Sequence, residues 1–253
     1  MLFDTHAHFD DHAFDSDRDE VLGAMREAGV SLIVDPASHV ESARTARDIA
    51  EKYDFVYFAA GLHPNELDSY YEGYLDDVRG LCRHPKCVAV GEIGLDYHYS
   101  YDEKELQHRV FREQLSLARE ISKPVIVHDR EATQDILGII SEYRGVRGVM
   151  HCFSGSWETA KTILDLGWNI SFTGVVTFKN ARRALEVAPK IPLDRIMIET
   201  DSPYMAPEPV RGTRNDSRNV RYICRKLAAR RGMSEEDFAA ATMENGKRFF
   251  GIA

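Results

Sequence analysis

Short, β-branched apolar runs recur along the chain and alternate with stretches of helical periodicity. The runs begin near Leu2 (LFD), Ser31 (SLIVD), Phe55 (FVYFAA), Cys87 (CVAVGE), Pro124 (PVIVH), Arg147 (RGVMH), Trp168 (WNISF) and Arg195 (RIMIE). Each is strand-sized and nearly continuous in apolar character, as expected of parallel strands buried on both faces. Between them, apolar residues fall on one helical face, as in Val21, Leu22, Met25 and Ala28, or Leu106, Val110, Phe111, Leu117, Ala118 and Ile121. Glycines in EAGV (27–30) and DLGW (165–168) predict left-handed helix ends. Two further helices are predicted over 217–230 and 234–249. The strand starts lie 21 to 37 residues apart, the size of a βα unit of about 30 residues. Eight such units in 253 residues predict an α/β chain folded as a (β/α)8 TIM barrel, one domain over 1–253. Periodicity does not show closure, so an open doubly wound sheet is the alternative.

With 43% hydrophobic and 29% charged residues, the chain reads as soluble and globular, long enough to bury a core without disulfides. No apolar stretch is long enough for a membrane-spanning helix. The segment MLFDTHAHFDDHAFDSDRDE is acidic and has no apolar signal-peptide core, so cytoplasmic residence is expected. Cys82, Cys87, Cys152 and Cys224 form no CxxC pair and are expected as free thiols. Cys82, His84 and Cys87 lack a nearby fourth zinc ligand and read as a helix end leading into a strand. The net charge of −9 argues against a protein that coats long nucleic acid. Against that, residues 211–231 carry eight basic side chains and one acid, Asp216, leaving about −16 elsewhere. This run reads as the solvated face of a helix whose apolar stripe is Val220, Ile223, Cys224, Leu227 and Ala228, with a phosphate-contacting edge as the alternative.

The candidate chemistry collects just after the strands. Asp4, His6 and His8 follow the first, His63 the third (GLHP), Glu92 the fourth (GEIGLDY), His128 the fifth (VIVHDRE), His151 the sixth (VMHCFSG) and Asp201 the eighth (IETDSPY). In a barrel those ends converge on the C-terminal face, where the active site is built. Five of the ten histidines fall there, too many on separate units for ordinary packing. Imidazoles with carboxylates suit divalent ions such as Mg, Mn, Zn or Ni. His6 and His8, two apart in extended chain, point to one side and can grip one ion. Six candidate ligands (His6, His8, Glu92, His128, His151 and Asp201) exceed what a single ion needs, so two ions are expected, with Glu92 as the shared bridge. Paired ions activate water and neutralise phosphoryl oxygens. Gly91 and Gly94 either admit substrate close to Glu92 or merely turn the chain out of the strand. Asp96 and Tyr97 are candidates to support the site or simply pack the loop. Arg130 either meets a substrate phosphate or pairs with Glu131. Asn245 reads as a cap on a terminal helix turn. No GxSxG elbow, Walker A loop or dinucleotide GxGxxG occurs, which removes serine-hydrolase, nucleotide-loop and Rossmann readings.

From Asp4 to ENGKRFF, the ordered motifs DTHAHFD, GLHP, GEIGLDY, PVIVHDREA, HCFSG and ETDSPY resemble the TatD family of metal-dependent hydrolases. The resemblance implies a barrel, metal-dependent hydrolysis and, as in several members, 3′→5′ exonuclease action on DNA, with single-stranded ends as substrate. It makes His6, His8, Glu92, His128, His151 and Asp201 the ligands, Asp201 also the base, and places His63 against the substrate phosphate. One departure stands out: the family's RNEP-like segment reads RNDS here, Arg214 to Ser217. An amidohydrolase or esterase acting on a small metabolite is the rival for the same site, since activated water attacks carbonyl carbon as well as phosphorus. Nothing in the sequence points to an obligate protein partner, and a monomer is expected.

Overall fold

The computed structural model describes residues 1–99 and 103–253. Eight parallel strands form one sheet in chain order: β1 (Leu2–Asp4), β2 (Val30–Pro36), β3 (Val56–Ala60), β4 (Cys87–Asp96), β5 (Val125–Arg130), β6 (Gly148–Met150), β7 (Asn169–Phe172) and β8 (Ile196–Ile198). Each expected run is found. The seam between the first and last strands is made just beyond their ends. There the Thr5 amide donates to the Ile198 carbonyl (3.2 Å), the Asp201 amide to His6 (2.8 Å) and the His8 amide to Ser202 (2.7 Å), with a parallel bridge between Ala7 and Ser202. The sheet is therefore a nearly closed barrel, and the open-sheet alternative falls.

The seam also uses a buried carboxyl. Asp4 accepts from the Thr200 amide (2.8 Å) and hydroxyl (2.5 Å). Burial pushes its pKa up to about 7 against the lowering effect of the Ser217 and Thr200 bonds. Asp4 thus fastens the wall of the barrel and stands apart from the ligand candidates.

The outer helices are α1 (Arg18–Gly23), α2 (Val40–Lys52), α3 (Tyr74–Leu81), α4 (Lys104–Glu120), α5 (Thr133–Glu142), α6 (Trp157–Asp165), α7 (Arg182–Val187), α8 (Val220–Arg231) and α9 (Glu235–Phe250). None is long and apolar enough to cross a membrane. Cys82 ends α3 and Cys87 opens β4, the helix-to-strand passage expected of that group, with the two sulfurs 3.7 Å apart. Gly167 takes the expected positive φ, 82°, after α6. Asn245 is not a cap: it lies within α9, and its amide donates to the Leu193 (2.6 Å) and Ile196 (2.8 Å) carbonyls, tying the helix to the start of β8.

Helix α8 buries the stripe read from its sequence, and five arginines of the basic run, two before the helix and three within it, are occupied in holding the fold. Arg214 pairs with Asp17 (2.6 Å), Arg218 with Asp216 (2.7 Å) and Arg225 with Glu235 (2.8 Å). Arg230 donates to the Leu185 carbonyl, and Arg231 to Ala188 and Ile191. The RNDS departure falls in this tie: the buried Asn215 amide donates to the Thr200 and Tyr204 carbonyls, and the Asp216 carboxylate accepts from the Arg218 amide.

Candidate metal centre

The strand ends bring the candidate side chains around one carboxylate. Glu92 stands where the β4–β5 register shifts, between Val90 and Ile93. Its amide donates to the Ala37 carbonyl (2.9 Å) instead of continuing the ladder with β5, and such irregularities re-aim side chains. The neighbouring glycines serve the strands. A Cβ on Gly91 would lie 2.8 Å from Cβ of Ile126, and one on Gly94, whose φ is 146°, 2.1 Å from the His128 carbonyl oxygen. They permit close backbone approach between β4 and β5, and the strand continues to Asp96, so they do not turn the chain out of the strand.

Each oxygen of Glu92 faces its own set of ring nitrogens. Oε2 lies 3.1 Å from His6 Nε2 and 3.6 Å from His8 Nε2. These two nitrogens are 3.0 Å apart, and Asp201 Oδ1 is 3.7 and 3.5 Å from them. On the other side, Oε1 lies 2.8 Å from His151 Nε2, 3.0 Å from His128 Nδ1 and 3.4 Å from His63 Nε2. The rings of His6 and His151 stack at 4.1 Å across the divide.

This arrangement fits divalent ions. Metal–ligand bonds of about 2.1 Å give donor–donor edges of roughly 3.0 Å in an octahedron and 3.4 Å in a tetrahedron. The contacts above lie close to that range. His6 Nε2 meets another ring nitrogen and two carboxylates at once, whereas a single proton serves one such contact. His6–His8–Glu92 and His63–Glu92–His128 both have the compactness of ion-binding groups.

The electrostatics follow from the same crowding. Burial alone raises the Glu92 pKa, but His151, His6 and His63 overcome it and hold the carboxyl well below its usual range. Burial opposes a charge on His8, yet Asp201 and Glu92 raise it to about 10. His128 is raised by Asp96 and Glu92, and His151 by Glu92 and Glu199, both against burial. Asp201, despite burial, is lowered by its bond from His8 and by His6 and His151. Negative oxygens thus attract positive charge to both halves of the cluster, which ions supply as well as protons.

Supporting contacts distinguish the imidazoles. Asp96 Oδ2 lies 3.1 Å from His128 Nε2, leaving Nδ1 directed at Glu92. Glu199 Oε1 accepts from the Cys152 amide (2.6 Å) and lies 3.4 Å from His151 Nδ1. His63 Nδ1 accepts from the Asn65 amide (3.1 Å), so the proton of the neutral ring sits on Nε2, the nitrogen facing the site. That turns an N–H of His63 toward Glu92 Oε1, 3.4 Å away. Tyr97 turns away, its hydroxyl bonded to His108 and Asp135. Arg130 is exposed at the end of β5, and Glu131 pairs with His98 (3.0 Å) rather than with it.

Two acidic residues were missed from the sequence. Glu199 lay inside a quoted motif without a role. Asp35, the last residue of SLIVD and next to the end of β2, lies at the same kind of strand end as the candidate ligands. It is fully buried, its pKa raised by burial and by Asp10, and groups with His8 and Asp10.

Comparison with known proteins agrees with this geometry. Residues 3–251 match the family described as TatD related DNase. A Bacillus subtilis (strain 168) protein named uncharacterized metal-dependent hydrolase YabD is 42% identical over 254 residues, covering all of both chains. A Citrobacter koseri protein named 3′-5′ ssDNA/RNA exonuclease TatD is 32% identical over 261 residues, again covering both completely. Among solved structures, that of YJJV, a TatD homolog from Escherichia coli k12, superposes with a TM-score of 0.94 at 31% identity, over 100% of this chain and 98% of that one.

Proposed function

The chain belongs to the TatD family, and from that premise we propose that it is a metal-dependent phosphodiesterase, a 3′→5′ exonuclease acting on single-stranded DNA ends as one cytoplasmic barrel. The observation that carries this reading is the division of Glu92, each oxygen serving a separate set of ring nitrogens. A carboxylate so divided would suit being shared between two ions. His6, His8, Glu92 and Asp201 would hold one ion, and Glu92, His128 and His151 the other. Three protein donors at the second position leave room for water or substrate. Divalent ions bound there supply Lewis-acid charge to phosphoryl oxygens and acidify water.

The chain's own groups divide the remaining work. Asp201, kept ionised by His8, His6 and His151, accepts the proton of the attacking water. His63 donates its Nε2 proton to a non-bridging phosphate oxygen. Arg130, exposed beside the site, meets a neighbouring phosphate as a bidentate donor. Glu92 fixes the spacing between the two halves. The donor on His63 and the cation of Arg130 suit a phosphodiester better than a neutral amide.

Turnover of the metal-loaded protein on oligonucleotides and bis(4-nitrophenyl) phosphate, set against amides, lactones and carboxylic esters, tests the reading. Hydrolysis concentrated on the phosphodiesters is expected. Hydrolysis of amides or lactones alone would replace it with the metabolite-hydrolase alternative.

A further inference from the structure

Apart from Met1, the large hydrophobic side chains exposed among the described residues are Tyr71, Tyr99, Tyr204 and Met205. All four lie on loops that leave the C-terminal ends of strands, the face that carries the metal centre. Two of them adjoin its two halves. The Tyr204 amide donates to the Asp201 carbonyl (2.9 Å), and its ring stands edge-on to His8 at 6.3 Å. The Tyr99 amide donates to Asp96 Oδ1 (2.9 Å), the carboxylate whose other oxygen holds His128. Tyr204 therefore flanks the His6–His8–Asp201 half and Tyr99 the His128 half.

Both rings are held from one side and open on the other. The Tyr204 hydroxyl donates to Asp11 (2.7 Å), yet the residue is 54% exposed. Tyr99 packs edge-on against His98 at 4.6 Å, which is itself tied to Glu131, and is 74% exposed. Anchored through its hydroxyl, the Tyr204 ring loses little freedom when a flat partner covers it, and the Tyr99 ring leaves a face open for another.

Resting on the phosphodiesterase reading, we propose that Tyr99 and Tyr204 are two stacking platforms that hold the nucleotides on either side of the cleaved phosphate, and that the substrate must be single-stranded for this reason. The charge distribution makes such contacts necessary. The chain carries −9 overall, and five arginines of the basic run are engaged with Asp17, Asp216, Glu235 and main-chain carbonyls. Of that run only Arg211, Arg221 and Lys226 are not engaged in this way, few cations to hold a strand by its backbone, so base faces are left to supply affinity. Stacking on aromatic rings tolerates any base. In a duplex the interior bases are covered on both faces and the terminal pair on one, so only an unpaired or frayed end can present bases to both platforms.

The test compares Tyr99→Ala, Tyr204→Ala and the corresponding Phe variants on single-stranded oligonucleotides and on oligonucleotides of the same length with abasic sites on both sides of the terminal phosphate. Each Ala variant is expected to raise the KM of the base-bearing oligonucleotide about tenfold, toward the low end for a base–aromatic stack. Its loss on the abasic substrate should be several times smaller, and the Phe variants should recover the KM. A nuclease-resistant oligonucleotide carrying 2-aminopurine next to its terminal phosphate should lose fluorescence on binding the unaltered metal-loaded protein, and lose less with the Ala variants. Equal losses on both substrates, Phe variants as impaired as Ala, or quenching unchanged by the Ala variants would overturn the proposal while leaving phosphodiester hydrolysis in place. Absence of phosphodiester hydrolysis by the unaltered protein would instead remove the reading beneath it.

Discussion

The His63 ring and the rings beside it share one carboxylate but differ in where the proton sits. With Nδ1 accepting from the Asn65 amide, His63 presents N–H to the site, while His128 keeps Nδ1 toward Glu92 by turning Nε2 to Asp96. Substituting His63→Gln should therefore leave metal content at that of the unaltered protein and lower kcat by about a hundredfold, the scale of one positioned donor or base. Asp201→Asn should lower kcat at least as much and also weaken one of the two ions, seen by metal analysis after dialysis. Metal loss in His63→Gln would move that ring into the ligand set. These assignments show how far strand-end position carries. It gathers His6, His8, His63, Glu92, His128, His151 and Asp201 into one site without any alignment. It does not separate ligand from donor, because a tautomer depends on a backbone amide two residues away. Nor did it divide Asp96, which supports His128, from its neighbour Tyr97, which packs against His108.

Helix α4 sets the height of two catalytic loops. Gln114 and Gln107, seven residues apart and buried, each clamp a backbone. Gln114 accepts from the Leu62 amide (2.7 Å) and donates to its carbonyl (3.0 Å), just before His63. Gln107 does the same for Asp96, at 2.8 Å both ways. Gln107→Leu should cost about 2 kcal/mol of stability, since it strips buried peptide groups of partners. It should also weaken metal binding at the His128 half, measured by denaturation and by metal titration. Full metal affinity in a destabilised variant would reduce the clamp to packing. The helix itself was legible from its apolar positions, and Gln107 and Gln114 fall on that same stripe beside Val110, Phe111, Leu117 and Ala118; what their polar type concealed was the backbone each one clamps. The basic run of α8 shows the converse. Its helical face was legible, while the remote partners of Arg214, Arg230 and Arg231 (Asp17 and the Leu185, Ala188 and Ile191 carbonyls) were not, because they come from distant segments.

Closure of the barrel is a property of the whole molecule, and a buried carboxyl sits at its seam. Burial raises the Asp4 pKa to about 7, so the folded chain holds a proton that the unfolded chain, with its ordinary carboxyl near 3.8, releases. Stability from this group is fully present below the unfolded value and lost as pH rises through about 7. Asp4→Asn removes the titration, so the stability of that variant relative to the unaltered protein should climb between about pH 4 and pH 7. Parallel curves from denaturant unfolding across that range would show that Asp4 does not titrate there. Alternation of strand and helix was enough to expect this architecture, whereas the seam itself was not legible, because its contacts join residues nearly 200 positions apart in the sequence. The central claim is that the Glu92 carboxylate organises two ions for phosphodiester hydrolysis. Its most direct test is to strip the protein of metal, reload it with Mg²⁺, Mn²⁺ or Zn²⁺, and incubate it and Glu92→Gln with 5′-labelled single-stranded DNA while counting bound metal. The unaltered protein should give a ladder shortening from the 3′ end, dependent on about two ions per chain, and Glu92→Gln neither ladder nor full metal content. Two tightly bound ions with intact DNA, or an unchanged ladder from Glu92→Gln, would contradict it.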